Sequence, residues 1–451
     1  MSLRLTDRES LMDAAPGKMK AHEVSETAVP VRASATAAPS PAVSPDGGFG
    51  LSGKRVGMLL FSTYPYDPRP RRAIEALRKE GMTIDLICLA EENAPRRERL
   101  DGIDVVRVPI TQERGGKFSY AYRYSAFILV SAAILAWRSL WRRYDLIYVN
   151  NMPDILVLSG LIPKAFGAKL ILDQHDPMPE LANTIFGIKD DSVGVAIIKK
   201  LEKWSLARAD LVLTVNIACQ RIFGTRSCPP GKIGVVMNSP DEDIFPLRTP
   251  RSYASRSHSG KDRFVIMYHG SLVERNGLDL AVDALALVKD AVPSAELRIY
   301  GRKTPFLEQV MDQARGKGVE ANIRYLGSRT LEQLVGDIED CDVGVIPNRS
   351  NPFTDINTPT RIFEYLALGK PVIAPRTLGI TDYFSPQSLV FFESGDARDL
   401  AQRIEYVFAH SDEATAIAER GQQIYLAHRW QEERMTLLGL VSGLLKGEHK
   451  Q

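Results

Sequence analysis

The sequence predicts an α/β protein of two doubly wound parallel-sheet domains facing each other across a cleft, preceded by a disordered tail. Three observations carry this. Apolar strand-like runs alternate with amphipathic helix-like runs from Arg55 onward, and the alternation starts afresh at Phe264. Between the two series, residues 250–262 are rich in Ser, Arg and Gly, the composition of a linker. Residues 1–52 are rich in Ala, Pro, Ser, Thr and charge, with Phe49 as their only aromatic, and bury too little apolar area to offset the entropy of ordering. The expected division is a tail over 1–52, carrying at most a fleeting helix around Asp7–Ala15, then a Rossmann-like domain over 53–249. The linker 250–262, a second Rossmann-like domain over 263–410, and helices over 411–451 that pack back on the first domain complete it.

The bulk properties agree. A length of 451 residues suits two or three domains at roughly 100–200 residues each. The chain is 44% hydrophobic and 25% charged, as for an ordinary globular protein. A net charge of +2 argues neither for nor against nucleic acid, and no nucleic-acid partner is expected. Cys88, Cys219, Cys228 and Cys341 are scattered, which fits a reducing compartment without a disulfide framework or zinc site. The N-terminus lacks an apolar signal core, so no secretion signal is expected. Gly48, Gly50 and Gly53 fit G-x-G-x-x-G, and Gly48–Lys54 nearly fits a P-loop. Both motifs need a strand before them, whereas these glycines precede the first strand, and Arg55 stands where Ser or Thr should follow the Lys.

Arg55–Phe61 is the first buried strand, followed by a Pro-rich loop, Ser62–Pro70, and a helix over Arg71–Gly81 with Ile74 and Leu77 on one face. Thr83–Leu89 and Val105–Val108 are further strands. Arg69, in the loop, can meet a phosphate or sit solvated, and the solvated reading is preferred. Phe118–Tyr144 carries an uncharged run from Tyr124 to Trp137, short of the ~20 residues a spanning helix needs. It reads as a helix packed under the sheet, or as a membrane-surface helix with Trp137 and Trp141 at headgroup level and its arginines on anionic lipid. Strands follow at Leu146–Val149, Lys169–Asp173, Asp210–Val215 and Lys232–Met237, with a helix to about Phe166 after the first. His175 follows a strand's carboxyl end, where such sheets bind ligands. Its imidazole can donate to a sugar hydroxyl or phosphate, or bond to nearby backbone.

In the second half, Phe264–Tyr268 is a strand, His269–Gly277 its loop and Leu278–Val288 its helix. Glu296–Tyr300, Ile323–Leu326 and Val343–Ile346 are strands, Leu331–Ile338 is a helix, and Ala397–Ala409 and Ser411–Leu445 are closing helices. The most informative stretch is Asn357–Ala374. Pro359 suits a first helical turn, Ile362, Tyr365 and Leu366 give an apolar side, Gly369 ends the helix, and Val372 starts a strand. Thr358, Thr360 and the free N–H groups of the helix start can hold an anion, and Glu364 can grip a diol. A phosphate grip beside a diol grip suits a nucleotide sugar; an ordinary loop and helix with a surface Glu is the alternative.

With these residues in view, the chain resembles a family-4 glycosyltransferase of the GT-B fold. The resemblance rests on Asp173-Gln-His-Asp176-Pro-Met-Pro-Glu180, Leu211-Val-Leu-Thr-Val215, Tyr268–Asp279 and Pro359–Ile373, and covers residues 54–445. It implies transfer of a sugar from a nucleotide-sugar donor, with retention at the anomeric carbon and without a metal or other cofactor. A uridine diphosphate sugar is expected before a guanosine one. The acceptor it implies is a saccharide or polyprenyl-linked saccharide, in bacterial cell-surface polysaccharide synthesis, with peripheral contact to the anionic inner face of the cytoplasmic membrane. Residue by residue, it assigns Glu364 to the ribose hydroxyls, His175 to the neighbourhood of the transferred sugar, and Gly270–Gly277 to the phosphate-clasping loop.

Three positions depart from the family pattern. Ser271 and Asn276 stand where the family has Arg and Lys, and Ile356 stands where its first glutamate, eight before Glu364, should be. Arg275 and Arg361 are the nearest cations, expected to neutralise the leaving diphosphate or else to be solvated surface charges. Asp355 is expected to bind sugar hydroxyls through a shifted loop. Catalytic roles thus fall to His175, Arg275 and Asp355, and donor binding to Gly270, Ser271, Asn276, Thr358, Arg361 and Glu364. A nucleotide-sugar epimerase of the same fold, or a catalytically weak nucleotide-sugar-binding scaffold, are the other readings.

Overall fold

The computed structural model describes residues 48–91, 94–110, 117–254 and 263–448. Most of the expected tail, including Asp7–Ala15, and most of the expected linker lie outside the described residues.

Apolar strands buried on both faces build two sheets. The first holds β1 (Arg55–Leu59), β2 (Thr83–Leu89), β3 (Arg97–Leu100), β4 (Ile103–Val108), β5 (Leu146–Asn150), β6 (Lys169–Gln174), β7 (Leu211–Thr214) and β8 (Ile233–Val235). Their order is β3-β4-β2-β1-β5-β6-β7-β8, all parallel except β3 against β4. The second sheet holds β9 (Phe264–His269), β10 (Ala295–Tyr300), β11 (Ile323–Tyr325), β12 (Val343–Val345), β13 (Val372–Pro375) and β14 (Val390–Phe392), in the order β11-β10-β9-β12-β13-β14 and all parallel. Chain order reverses beside β1 in the first sheet and beside β9 in the second, and ligands of such sheets bind at that switch, past the strand carboxyl ends. Sequence reasoning did not anticipate β3. It is a charged edge strand, Arg-Glu-Arg-Leu, turning back through Asp101 and Gly102 at positive φ.

Two helices cover one face of the first sheet. Ala73, Ile74 and Leu77 of helix 68–79 and Leu437, Leu438, Val441 and Leu444 of helix 430–446 pack on Val56, Met58, Ile84 and Leu86. The C-terminal helix therefore does return to the first domain. Two expectations need correction here. The helix begins at Pro68, not Arg71, because Pro68 and Pro70 both suit a first turn. The chain is also packed by Phe49, inside the expected tail: Phe49 and Leu51 join this core, and Ser442 Oγ donates to the Phe49 carbonyl at 2.6 Å. The opposite face is covered by helices 117–139, 154–165, 193–208 and 217–226, which contribute Phe127, Leu135, Leu156, Val157, Leu206 and Phe223. The helix with two readings thus packs under the sheet through Phe127 and Leu135, while Leu129, Trp137, Leu140 and Trp141 on and after it face solvent.

Arg69 is buried rather than solvated. Its Nε and Nη2 donate to Asp173 (3.1 and 2.6 Å) and its Nη1 to the Val236 carbonyl (2.7 Å) and Asn238 (3.1 Å). Tyr148 adds its hydroxyl to Asp173 at 2.7 Å. Burial alone would raise the Asp173 carboxyl, but the Arg69 charge, helped by His175, holds it well below the usual carboxylate range.

The second domain is tied to the first. Ile356 sits in the first domain's core with Val215 and Ala218, and Asn216 Nδ2 donates to the Ile356 carbonyl (2.8 Å) and Thr358 Oγ1 (3.1 Å). The Ile217 N–H donates to Tyr383 Oη at 2.9 Å, and Thr184 Oγ1 to Asn351 at 3.0 Å.

Arg69→Met leaves Asp173 buried without its cation, which costs about 3–5 kcal/mol, so a fall in melting temperature on the order of 10 °C is expected in a thermal scan. Adding Asp173→Asn should recover part of it.

Candidate active site

The carboxyl end of β9 runs into the loop Gly270–Gly277. The loop is closed on the Ser271 carbonyl, which accepts from Tyr268 Oη (2.8 Å), the Val273 N–H (3.1 Å) and Asn276 Nδ2 (2.8 Å). Only glycine fits at 277: φ is +67°, and a Cβ would lie 1.8 Å from the Pro347 carbonyl oxygen. The loop thus has the expected tight shape, but Ser271 and Asn276 give it no charge, and the Asn276 side chain is spent on closing it.

The nearest fixed cation is Arg361, in helix 360–367. It donates to the His269 carbonyl (2.8 Å) and Asn348 (3.1 Å), and its guanidinium lies 5.0 Å over the Tyr268 ring. A Cβ on Gly270 would stand 3.4 Å from its side chain, so Arg361 rests against the foot of the loop. Arg275 is half-buried, and its charge, after that of His175, offsets part of the rise that burial imposes on Asp176.

Glu364 lies less than one turn beyond Arg361, with Oε2 3.3 Å from His269 Nε2. Burial, then the Arg361 charge, lowers the His269 pKa well below its ordinary value, so the imidazole is neutral. Burial pushes the Glu364 carboxyl up to about 7, against the pull of Arg361 and Arg72. Across the cleft, His175 stands past β6, held by its N–H on Asn151 Oδ1 (2.8 Å), with Nε2 3.6 Å from Asp173. A cavity of about 280 Å³ joins the two walls: Arg71, Arg72, His175 and Asp176 from the first domain, Thr360 and Glu364 from the second.

Of the expected site residues, His175 and Glu364 line this cavity, whereas Gly270, Ser271, Arg275, Asn276, Asp355, Thr358 and Arg361 do not. Thr358 is buried, donates to the Gly379 carbonyl (2.6 Å) and accepts from Asn216, so its hydroxyl ties the domains and is not free for an anion. Asp355 does not line the cavity; it accepts from Ser350 Oγ at 2.9 Å, because its neighbour Ile356 anchors the turn in the first domain. Sequence reasoning missed His269 as the partner of Glu364, and Arg71 and Arg72 as cleft residues. Placing the helix start at Arg71 hid that Pro68-Arg-Pro-Arg-Arg72 is one turn and a half. It also missed Asn151, which additionally donates to Asp154 (3.1 Å) and the Asp176 carbonyl (2.9 Å) and so sets the loop that carries His175.

Residues 67–239 match the family described as Glycosyl transferase 4-like domain, and residues 252–424 match Glycosyl transferases group 1. Among curated relatives, a probable glycosyltransferase, WbjE of Pseudomonas aeruginosa, is 21% identical over 52% of this chain and 58% of its own length. The chain therefore spans under two thirds of that relative. Among solved structures, sucrose-phosphate synthase of Thermosynechococcus elongatus superposes with a TM-score of 0.67 at 17% identity, covering 88% of this chain and 98% of its own. Anabaena HepE in complex with UDP-glucose gives 0.62 at 16% identity, covering 86% and 99%. At such identities these likenesses show a shared fold.

Glu364 sets a pH test. Its carboxyl is raised from an ordinary 4.5 to about 7, so the folded state keeps a proton that the unfolded chain releases. That stabilising contribution is complete below pH 4.5 and lost as pH rises toward 7. Melting temperatures from pH 5 to 8 should fall for the native protein relative to Glu364→Gln until about pH 7, then run parallel.

Proposed function

We infer that this chain, which belongs to the family-4 glycosyltransferases of the GT-B fold, transfers a sugar from a nucleotide-sugar donor to a saccharide or lipid-linked saccharide acceptor. The observation that carries the reading is the single cavity in which Glu364 and Thr360 of the second domain meet His175 of the first. The Glu364 carboxylate accepts the two ribose hydroxyls. The N–H groups at the start of helix 360–367, with Arg361 at its edge and Arg275 from the loop, offset the charge that grows on the leaving diphosphate. His175, at the first domain's edge of the cavity, donates to a hydroxyl of the sugar. The acceptor hydroxyl attacks from the face the diphosphate leaves, with the diphosphate taking its proton, which gives retention. The UDP-glucose held by the Anabaena protein favours a uridine donor, and the named relatives are transferases, which favours transfer over epimerisation or scaffolding.

A cell-surface polysaccharide acceptor presented at a membrane suits the first domain's outer layer. Helices 117–139, 154–165 and 193–208 cover one sheet face, so their outer sides form one surface, which helix 178–186 extends. Leu129, Trp137, Trp141, Ile162, Phe166 and Ile197 are exposed on it. From 117 to 143 the chain has five basic residues and no Asp or Glu. Exposed Trp among cations is the chemistry of a helix layer lying on anionic headgroups. Among the described residues no helix is long and apolar enough to cross a membrane; the contact we propose is peripheral, at the inner face of the cytoplasmic membrane.

Two measurements test the reading. Thermal shift across uridine, guanosine and adenosine diphosphate sugars should single out one base, with about 2.7 kcal/mol of stabilisation at a hundredfold excess over Kd. Charge-assisted hydrogen bonds contribute about 1.5–3 kcal/mol each, so Glu364→Ala should weaken that donor more than tenfold; undiminished affinity would sink the ribose assignment. In flotation at low salt the protein should rise with phosphatidylglycerol vesicles and not with phosphatidylcholine ones, and Trp137→Glu/Trp141→Glu should abolish it. Protein left in solution with anionic vesicles would remove the membrane role.

A further inference from the structure

Two arginines on one helix turn meet opposite environments. Arg69 and Arg72 are 8% and 7% exposed. Arg69 is neutralised by Asp173. Arg72 has no carboxylate within ion-pair distance among the described residues. Its Nη1 donates to the Ser239 carbonyl, its guanidinium lies 5.2 Å over the Trp430 ring, and its buried Nε has no partner. The neighbouring Arg71 Nε is likewise buried without a hydrogen-bond partner, its nearest carboxylate being Glu75 at 3.6 Å. A buried guanidinium without a counter-charge is costly. Burial first, then the like charge of Arg69, pulls the Arg72 pKa down to about 10, although Asp241 and Glu364 are near enough to offset part of it. Both arginines line the cavity opposite Thr360 and Glu364. The loop on the second domain's side, where the family pattern calls for Arg and Lys, carries Ser271 and Asn276 instead.

We propose that Arg71 and Arg72 are the cationic wall of a phosphate site in the cleft, built from the first domain, which takes a phosphate or diphosphate group. The ligand's identity rests on the nucleotide-sugar reading above; the site itself does not. Planar guanidinium forks on a rigid helix suit phosphate oxygens, and a ligand charge there would supply the counter-ion that the protein withholds from Arg72. Two sources carry this chemistry: the diphosphate of the donor, and the phosphate that links a lipid to the acceptor saccharide.

The test uses the full chain, inorganic diphosphate, uridine and UDP, read by calorimetry and thermal shift. The native protein should bind inorganic diphosphate at low salt, and Arg72→Met and Arg71→Met should each weaken it at least tenfold. The ligand-free Arg72→Met protein should melt no lower than the native one, because a buried uncompensated charge has been removed; a merely structural arginine would give a lower melting temperature with diphosphate binding unchanged. If the site takes the donor, Arg72→Met weakens UDP and leaves uridine alone. If it takes the acceptor phosphate, UDP binding is unchanged while inorganic diphosphate binding falls. Diphosphate binding equal to native in both variants overturns the proposal. Native protein that binds diphosphate through Arg72 but no nucleotide sugar would instead sink the donor reading and leave the site standing. Binding of nucleotide sugars indifferent to both arginines, with no binding of inorganic diphosphate, would sink the site alone.

Discussion

Asp173 stands buried at the carboxyl end of β6, and most of the cleft's first wall is arranged around it. Arg69 and Tyr148 converge on its two oxygens. Through Arg69 it fixes the start of helix 68–79 against Val236, just past β8, and Asn238, and two residues later, just past its own strand, the chain delivers His175. A charge pair this deep contributes little net stability, since desolvation consumes most of the attraction, but breaking it is expensive. Its role is therefore positional. With Asp173 neutralised, the first turn of helix 68–79 is held so that Arg69 points inward and Arg71 and Arg72 line the cleft.

The second constraint lies across the domains. The turn 354–356 places Ile356 in the first domain's core, and Asn216 then satisfies the Ile356 carbonyl and Thr358 hydroxyl together. A carboxylate at position 356 could not occupy that apolar pocket without a large desolvation cost. The departure from the family pattern at Ile356 is thus a packing choice with a chemical consequence: the turn that would present an acid to the sugar is used as a tie between domains. Asp355 follows that turn and bonds to Ser350 beside it.

Much of this was legible in the sequence because strands buried on both faces and helices with one apolar stripe leave strong periodic signals. Phe264–His269 and Leu278–Val288 were readable in that way, as was the helix ended by Gly369, whose φ is +69°. Glu364 was readable because its spacing from the helix start is set locally. What was not legible is what depends on distant partners. Arg69 looks the same in sequence whether solvated or paired with a residue 104 positions away. Thr358 looks like an anion ligand until Asn216 is placed beside it. Phe49 and Leu51 look like tail because the helix that covers them, with Ser442, lies at the other end of the chain. β3 carries charge instead of an apolar run because it is an edge.

Elsewhere in the fold, the deeply set arginines are compensated. Arg226 is gripped by Glu180 and Glu202, Arg298 by Glu296 and Asp340, and Arg69 by Asp173. The chain can evidently place a carboxylate beside a buried guanidinium where stability is all that is at stake. At the cleft it does not. Arg72 lacks a counter-ion, Glu364 is buried to the point that its ionisation moves to about 7, and His269 is kept neutral with its Nε2 3.3 Å from Glu364. Arg72 and Glu364 border the same 280 Å³ of space, and His269 stands against Glu364. A single raised carboxyl, such as that of buried Asp154, can be an accident of packing, whereas Arg72 and Glu364 face one cavity from opposite domains, as groups of a ligand site would. A ligand that presents an anion to Arg72 and hydroxyl donors to Glu364 would relieve both, and a sugar nucleotide carries both within one molecule.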